Sequence, residues 1–172
     1  MYIQSNRPVD WADGPSSLPA SAYWVEAIVK RNENKIFRIA LTMMGNKAEA
    51  EDIVQDVFVK LVEKSPTFNS QDHETAWLIR VAVNLCKSRF RSHWWKKTVP
   101  LLDSYPAQTS HHHDLVEAVL NLPQKYRIVT HLFYYEGYST KEIAELTEQK
   151  ESTVRAQLTR ARQMLRDVLK GE

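Results

Sequence analysis

Residues 139–166 read STKEIAELTEQKESTVRAQLTRARQMLR. The stretch opens on Ser139-Thr140-Lys141-Glu142, the form of a capping box, in which a hydroxyl caps the backbone and a carboxylate three residues on answers it. Ile143, Ala144 and Leu146 are the apolar positions of a short helix over 140–146. A turn of about four residues separates it from a longer helix that begins near Ser152 and runs to about Leu169. At helical periodicity Val154, Leu158, Ala161 and Leu165 fall within an arc of about 60°, and Arg155, Thr159, Arg162 and Arg166 form a second such arc beside it. One stripe packs, the other presents cations, and small Ala144 lets the two helices cross closely. Two helices so joined make a helix-turn-helix, whose second helix enters the major groove of DNA. A plain helical hairpin with a solvated basic face competes with this reading. The capping box, the turn and the paired stripes together favour DNA. Arg155, near the helix start, suits a base or phosphate contact, and Arg160 and Arg162 suit phosphates.

The rest of the chain extends this helical picture. A length of 172 residues allows one ordinary domain or two small ones. A hydrophobic content of 43% supports a folded core, and only 4 glycines favour helix. The net charge is +2, yet its distribution is uneven. No Asp or Glu occurs from Thr75 to Leu102 or from Ser152 to Arg166. Two basic islands suggest two contacts with something anionic. The single cysteine, Cys86, lies in an apolar run and reads as a buried, inert thiol. Neither a signal peptide nor a membrane-spanning run is visible, so a cytoplasmic location is expected.

Residues 1–20 carry Pro8, Pro15 and Pro19 without periodicity and read as a flexible N-terminal arm. A helix over about 22–44 follows, with Ser21 as its N-cap and Ile28, Ile36, Ile39, Ala40 and Met43 facing inward; Gly45-Asn46 stops it. A second, over about 48–64, turns Ile53, Val54, Val57, Phe58 and Leu61 to the core and ends at Ser65-Pro66. A loop follows, and a third helix starts near Glu74, its outer limit at Pro100. Residues 98–113 form a linker, 114–121 a short helix, and Pro123 opens another that ends near Gly137. The expected fold is all-α, with two small helical domains joined by a flexible linker. The bounds are 1–20 for the arm, 21–97 for the first domain, 98–113 for the linker and 114–172 for the helix-turn-helix domain.

Two stripes in the first domain invite partners. Glu49, Asp52 and Asp56 share one face of the second helix, and the Asp52–Asp56 spacing is a like-charge i,i+4 pair. A basic protein surface would explain it; so would simple solvation. On the third helix, Leu78, Val81, Ala82 and Leu85 are expected on the buried side, with Arg80, Asn84, Lys87 and Arg91 on the opposite one. Trp77, Trp94 and Trp95 flank that stripe, and Phe68 precedes it. Cations that track a backbone beside aromatics on which bases stack describe a single-strand surface. An interfacial membrane helix uses the same residue types, but the apolar side is needed for the domain's own core. No direct membrane binding is expected.

Three segments, EAEDIVQDVFVKL, TFNSQDHETAWLIRVAVNLCKSRFR and LPQKYRIVTHLFYYEGYSTKEIAELTEQKESTVRAQLTRARQML, resemble in order the bacterial RNA polymerase sigma factors of the extracytoplasmic-function (ECF) group, over about residues 22–168. The resemblance implies core RNA polymerase and promoter DNA as partners. The Glu49–Leu61 helix matches the segment that docks on the clamp helices of the largest polymerase subunit, through Asp52, Gln55 and Asp56; the flap is a further implied contact. The loop Thr67–Glu74 and the helix Trp77–Arg91 match the minus-ten reader, with Phe68 and Asn84 at pocket positions and Arg80 at a nearby DNA-contacting position; Lys87 and Arg91, on the same stripe, suit phosphates. Ser139–Arg166 matches the minus-thirty-five reader, with Arg155 and Arg160 at contact positions and Ser152, Thr153, Ala156, Thr159 and Arg162 completing its DNA-facing set. Gln157 and Thr159 stand where relatives often carry a basic or aromatic residue, and Ser152 where Gly is frequent. Members of the group are usually held by an anti-sigma partner; the sequence leaves that partner open.

Two rival classes remain. An autonomous helix-turn-helix regulator would need neither the acidic stripe nor the single-strand surface. A metal-dependent enzyme would have to rest on His111-His112-His113, which lie in a loop with only Asp114 as a nearby carboxylate. No nucleophile–base pair or Gly-rich phosphate loop is visible. The expectation is a non-enzymatic protein with no cofactor and no metal.

Overall fold

The computed structural model describes residues 20–91 and 117–170, and every element among them is helical. They are α1 (Ala20–Met44), α2 (Lys47–Lys64), α3 (Gln71–Arg91), α4 (117–121), α5 (Gln124–Thr130), a π-helical turn (His131–Tyr135), α6 (Thr140–Thr147) and α7 (Glu151–Lys170). The linker, the tryptophan pair Trp94-Trp95, the histidine run His111–His113 and the arm up to residue 19 lie outside the described residues.

α1, α2 and α3 pack as three mutually contacting helices. The apolar spacing read from α1 is what it buries: Ile28, Ile36, Ile39, Ala40 and Met43 have no exposed surface. α2 does the same with Ala50, Ile53, Val57 and Leu61, while Val54 and Phe58 pack at the edge of the core. Full burial of each larger aliphatic side chain contributes about 1.5–3 kcal/mol relative to exposure. Asn46 caps α2, its Oδ1 accepting from Glu49 N–H at 3.0 Å. Between α1 and α2 the chain turns at Gly45 with φ +68°, where a Cβ would stand 3.4 Å from Arg127 Nη1. Glycine adopts this left-handed conformation without the strain that a Cβ would bring.

Three expectations need correction. Ser21 lies inside α1, which begins at Ala20, rather than capping it, so the helix extends about two residues further back than its apolar spacing suggests. The loop over Thr67–Glu74 is shorter than expected, because α3 begins at Gln71 with Asp72 and Glu74 in its first turn, where carboxylates favour the helix dipole. The buried side of α3 is also rotated. Leu78 and Ala82 are buried as expected, but Ile79, Val83 and Cys86 join them, whereas Val81 and Leu85 only flank the core. The reason is Glu74. It is buried, accepts from Arg31 Nη2 at 2.9 Å and Asn32 Nδ2 at 2.7 Å, and sets the phase of α3 against α1. Thr75 Oγ1 donates to Asn32 Oδ1 at 2.8 Å and completes the knot. Cys86 is fully buried, and burial pushes its thiol up to about 12.

The C-terminal helices do not stand apart. α5 packs on α1 and α7, and α6 packs on α7 and α3. Ile128, Val129, Leu132, Ile143, Ala144, Leu146, Val154 and Leu158 belong to the same continuous core as Ile28 and Leu78. A polar seam runs along this contact. Arg127 Nη1 donates to Thr42 O and Met43 O, each at 3.1 Å, and so satisfies carbonyls left open at the end of α1. Thr42 Oγ1 and His131 Nδ1 share a 3.0 Å hydrogen bond. The Glu136 side chain, only 5% exposed, meets Arg38 Nη2 at 3.1 Å and Lys35 Nζ at 3.4 Å. The π-helical turn makes this possible: Glu136 N–H reaches back five residues to His131 O at 3.1 Å, bringing His131 Nε2 to 3.5 Å from Glu136 Oε1.

Burial alone would raise the Glu136 carboxyl, but His131, Arg38 and Lys35 outweigh it and hold it at about 2, against an ordinary 4.5. A carboxyl so depressed stays charged in the fold at pH values where the unfolded chain takes up a proton. Its contribution is therefore complete above about pH 4.5 and lost as pH falls toward about 2. Glu136→Gln is expected to cost about 2–3 kcal/mol at pH 7. In denaturant titrations the gap between variant and wild type should close progressively as pH falls from about 4.5 toward about 2. A gap that does not change with pH would mean that the carboxylate charge is not what holds the seam.

Candidate nucleic-acid interface

The helix-turn-helix forms as its sequence dictates. Ser139 caps α6 and Glu142 answers it, Glu142 Oε2 accepting from Ser139 N–H at 2.8 Å. These hydrogen bonds draw the Glu142 carboxyl below its ordinary range. Gln149 N–H reaches Ala144 O at 2.9 Å through the turn. α7 begins at Glu151, one residue before the expected Ser152. Glu151 ties the two helices together, accepting from Thr140 Oγ1 at 2.6 Å and from Arg155 Nη2 at 2.7 Å, and both hydrogen bonds lower its carboxyl. Val154, Leu158 and Ala161 are buried, and Leu165 packs against Leu122, Tyr126 and Ala161.

On the outer side Ser152, Thr153, Arg155, Ala156, Thr159, Arg160, Arg162 and Arg166 are all exposed. Two of these cations already have company. Arg155 is held by Glu151, and Arg160 hydrogen-bonds Tyr126, drawing that phenol below its ordinary range. Arg162 and Thr159 are exposed on the same side of α7 as Arg155; Thr159 Oγ1 donates back to Arg155 O at 3.0 Å.

α3 gathers the second set. Arg80, Asn84 and Arg91 are exposed on one side and Lys87 is half-buried beside them. Phe68 is half-buried against the core, edge-on to His73 at 5.6 Å and to Trp77 at 5.9 Å between ring centroids. Trp77 likewise packs on the core, so it supports Phe68 more than it widens an open surface. This face is not bare, however. Asn84 Nδ2 stands 3.4 Å from Glu148 Oε1, and Lys87 Nζ donates to Thr147 O at 2.7 Å. Burial lowers the Lys87 pKa, against the opposing pull of Glu148.

The acidic stripe of α2 also differs from its sequence reading. Glu49, Asp52 and Asp56 share one cation from α3: Arg89 Nη1 reaches Glu49 Oε2 at 2.7 Å and Asp52 Oδ2 at 3.4 Å, and Nη2 reaches Asp56 Oδ2 at 3.0 Å. Burial works against the Arg89 charge, but its hydrogen bonds to Glu49, Asp56 and Asp52 raise its pKa above the ordinary arginine value. The i,i+4 repulsion is thus relieved inside the chain, and an external base is not required to explain it. Asp52 and Asp56 keep 59% and 47% of their side-chain surface exposed, and Gln55 is exposed between them. The face continues through Val59 and Val62, large apolar residues left 53% and 54% exposed. Sequence reasoning missed Arg89, Glu74, Glu136 and Glu148 in these roles, because each acts across helices that sequence spacing alone does not bring together. No helix among the described residues is long and apolar enough to cross a membrane. No cluster of metal-ligating residues occurs among them either.

Comparison with known proteins places these two faces in a family. Residues 28–96 match the Sigma-70 region 2 family and residues 112–165 the Sigma-70 region 4 family. The chain is similar to the ECF RNA polymerase sigma factor SigE of Mycolicibacterium smegmatis, 30% identical over 180 residues covering 96% of this chain and 69% of that one. It is similar also to the ECF RNA polymerase sigma factor SigW of Bacillus subtilis, 30% identical over 166 residues covering 83% and 87%. Among solved structures the fold is shared with the sigma factor RpoE in complex with the anti-sigma factor NepR from Bartonella quintana. The TM-score is 0.71 at 22% identity, over 84% of this chain and 96% of that one. It is shared with CnrH in complex with the cytosolic domain of CnrY at a TM-score of 0.64 and 22% identity, over 88% and 90%. The matches to both Sigma-70 regions, in order along one chain whose helices expose a face for each, show that the protein belongs to the ECF RNA polymerase sigma factors.

Proposed function

We propose that this chain grips a promoter at two elements of different physical form. As a sigma factor it directs RNA polymerase to promoters, and its family is one of initiation factors that leave the chemistry to the polymerase. The α7 face bearing Ser152, Thr153, Arg155, Ala156, Thr159, Arg160 and Arg162 reads the minus-thirty-five element as duplex in the major groove. The α3 face bearing Arg80, Asn84, Lys87 and Arg91, with Phe68 beside it, reads the minus-ten element as melted single strand. The observation that carries this reading is the presence of both exposed faces in one chain, a helix-turn-helix and a cation stripe around an amide. An amide both donates to and accepts from a base edge, which an unstacked base presents freely. Capturing that base offsets the few kcal/mol needed to expose it and favours the open strand.

The domain assignment follows: residues 21–97 dock on polymerase and read minus-ten, 98–113 connect, and 114–172 read minus-thirty-five. Joining two weak readers raises the effective concentration of the second once the first has bound. Docking falls to Asp52, Gln55 and Asp56, whose exposed side chains suit the basic clamp helices of the largest polymerase subunit. An anti-sigma partner is part of the same reading, supported by two neighbours of the same fold that were solved with partners, one of them named an anti-sigma factor.

Run-off transcription with core polymerase on a random-promoter library tests the whole. Transcripts should share two sequence elements at one spacing; absence of selection would overturn the reading. Asn84→Ala is expected to lower open-complex formation about tenfold, as loss of one base contact would, with polymerase binding intact by pull-down. Equal loss of both would make Asn84 structural. For docking, Asp52→Asn with Asp56→Asn is preferable to charge reversal, which would set new cations against Arg89. That pair should weaken polymerase binding by about fivefold or more at low salt and spare duplex minus-thirty-five binding.

A further inference from the structure

Glu49, Asp52 and Asp56 fall within an arc of about 60° on α2, and like charges at this spacing repel one another along a helix. Arg89 reaches across from α3 and takes one oxygen of each. Nη1 meets Glu49 Oε2 at 2.7 Å and Asp52 Oδ2 at 3.4 Å, and Nη2 meets Asp56 Oδ2 at 3.0 Å. A guanidinium is planar and holds its donors in a fixed fork, so it sets where the carboxylates point as well as cancelling charge. The Arg89 side chain is 29% exposed, less than any of its three acids. It therefore lies beneath them, and a partner approaching α2 meets the carboxylates first. The second oxygen of each carboxylate can still accept a hydrogen bond. Beside the acids the face runs on through Gln55 and Val59, both exposed.

We propose that Arg89 is a positioning residue for polymerase docking, holding Asp52 and Asp56 in the array that the basic clamp helices meet. The proposal rests on the reading of α2 as the docking face. The partner's cations approach from outside and take the second oxygens, while Arg89 keeps the first. Two effects of Arg89 oppose each other. Its charge cancels part of the negative potential that attracts a basic surface, which by itself weakens docking. Its fork gathers acids that would otherwise turn away from one another, so less freedom is lost when the partner binds. Three carboxylates against one guanidinium leave two net negative charges, so the attraction survives. The lost potential is screened beyond about 8 Å at 0.15 M salt, whereas orientation acts at contact distance. The fork therefore outweighs the charge, and Arg89 strengthens docking on balance.

The full-length protein, carrying a fluorophore at its N-terminus, is titrated with core polymerase at about 0.15 M salt, and anisotropy is read. Arg89→Met keeps an apolar stem and removes the fork; Arg89→Lys keeps the charge and removes the fork. Arg89→Met should dock about three- to fivefold more weakly than wild type, although its face is more acidic, and Arg89→Lys about twofold more weakly. Docking by Arg89→Met as tight as wild type, or tighter, would overturn the proposal, because charge alone would then govern. The bonds of Arg89 also fasten α2 to α3, so the same change is made with Asp52→Asn and Asp56→Asn in place. There Arg89→Met should bring no further loss. A further loss of the same size would mean that Arg89 acts through the helix packing, and would equally overturn the proposal. Where Arg89→Met melts near the assay temperature, Arg89→Lys decides, with wild-type docking as the contrary result. Wild-type docking by the Asp52→Asn, Asp56→Asn pair would remove the docking reading itself. Weakened docking by that pair, with none in the Arg89 variants, would remove only the role of Arg89.

Discussion

Much of this structure depends on α1 having two sets of neighbours. Its buried side chains face α2 and α3, while its C-terminal carbonyls, with Lys35, Arg38 and Thr42, face α5 and the π-helical turn. Both packings share one apolar core, in which Ile128, Val129 and Leu132 join Ile36, Ile39 and Met43. The seam between them differs from that core: it is held by Glu136, Arg38, Arg127 and His131. A charged seam suits a contact that must part. Water and counterions can repay an ion pair when it separates, but not a buried leucine.

This arrangement bears on the proposed function, because both faces proposed to read DNA already have internal partners. Asn84 and Lys87 touch the turn between α6 and α7, and Arg155 is held by Glu151. The acids proposed to dock polymerase share Arg89. Asn84–Glu148 and Arg155–Glu151 are single exposed contacts, worth little against solvent, whereas Arg89 is held by three carboxylates. Under the proposed function, binding DNA would exchange the first two contacts for external ones, and docking polymerase would use a face that is already formed.

The sequence revealed the elements far better than their meeting. Capping residues and apolar spacing placed α2, α6 and α7 to within a residue or two, since each is governed by neighbours a few positions away. The exposed stripe Arg80-Asn84-Arg91 and the exposed α7 face were legible for the same reason. The phase of α3 was misread because Glu74, an acid that composition assigns to the surface, is buried against Arg31 and Asn32. The partner of the acidic stripe was missed because Arg89 lies 33 to 40 residues away and belongs to what looked like a uniformly basic island. The closed seam left no sequence signal at all, because long-range pairs such as Arg38–Glu136, 98 residues apart, obey no local period.

The closed arrangement can be measured directly. Cys86 is buried, with its thiol pushed up to about 12, so it resists labelling. Spin labels at Ser88→Cys on α3 and Glu145→Cys on α6, both exposed, then report the separation of the two helices. In the free protein a single short, narrow distance distribution is expected, shifting to longer distances when core polymerase and promoter DNA are added. A long or broad distribution in the free protein, or one unchanged in the promoter complex, would contradict the account of a closed chain that opens to read DNA.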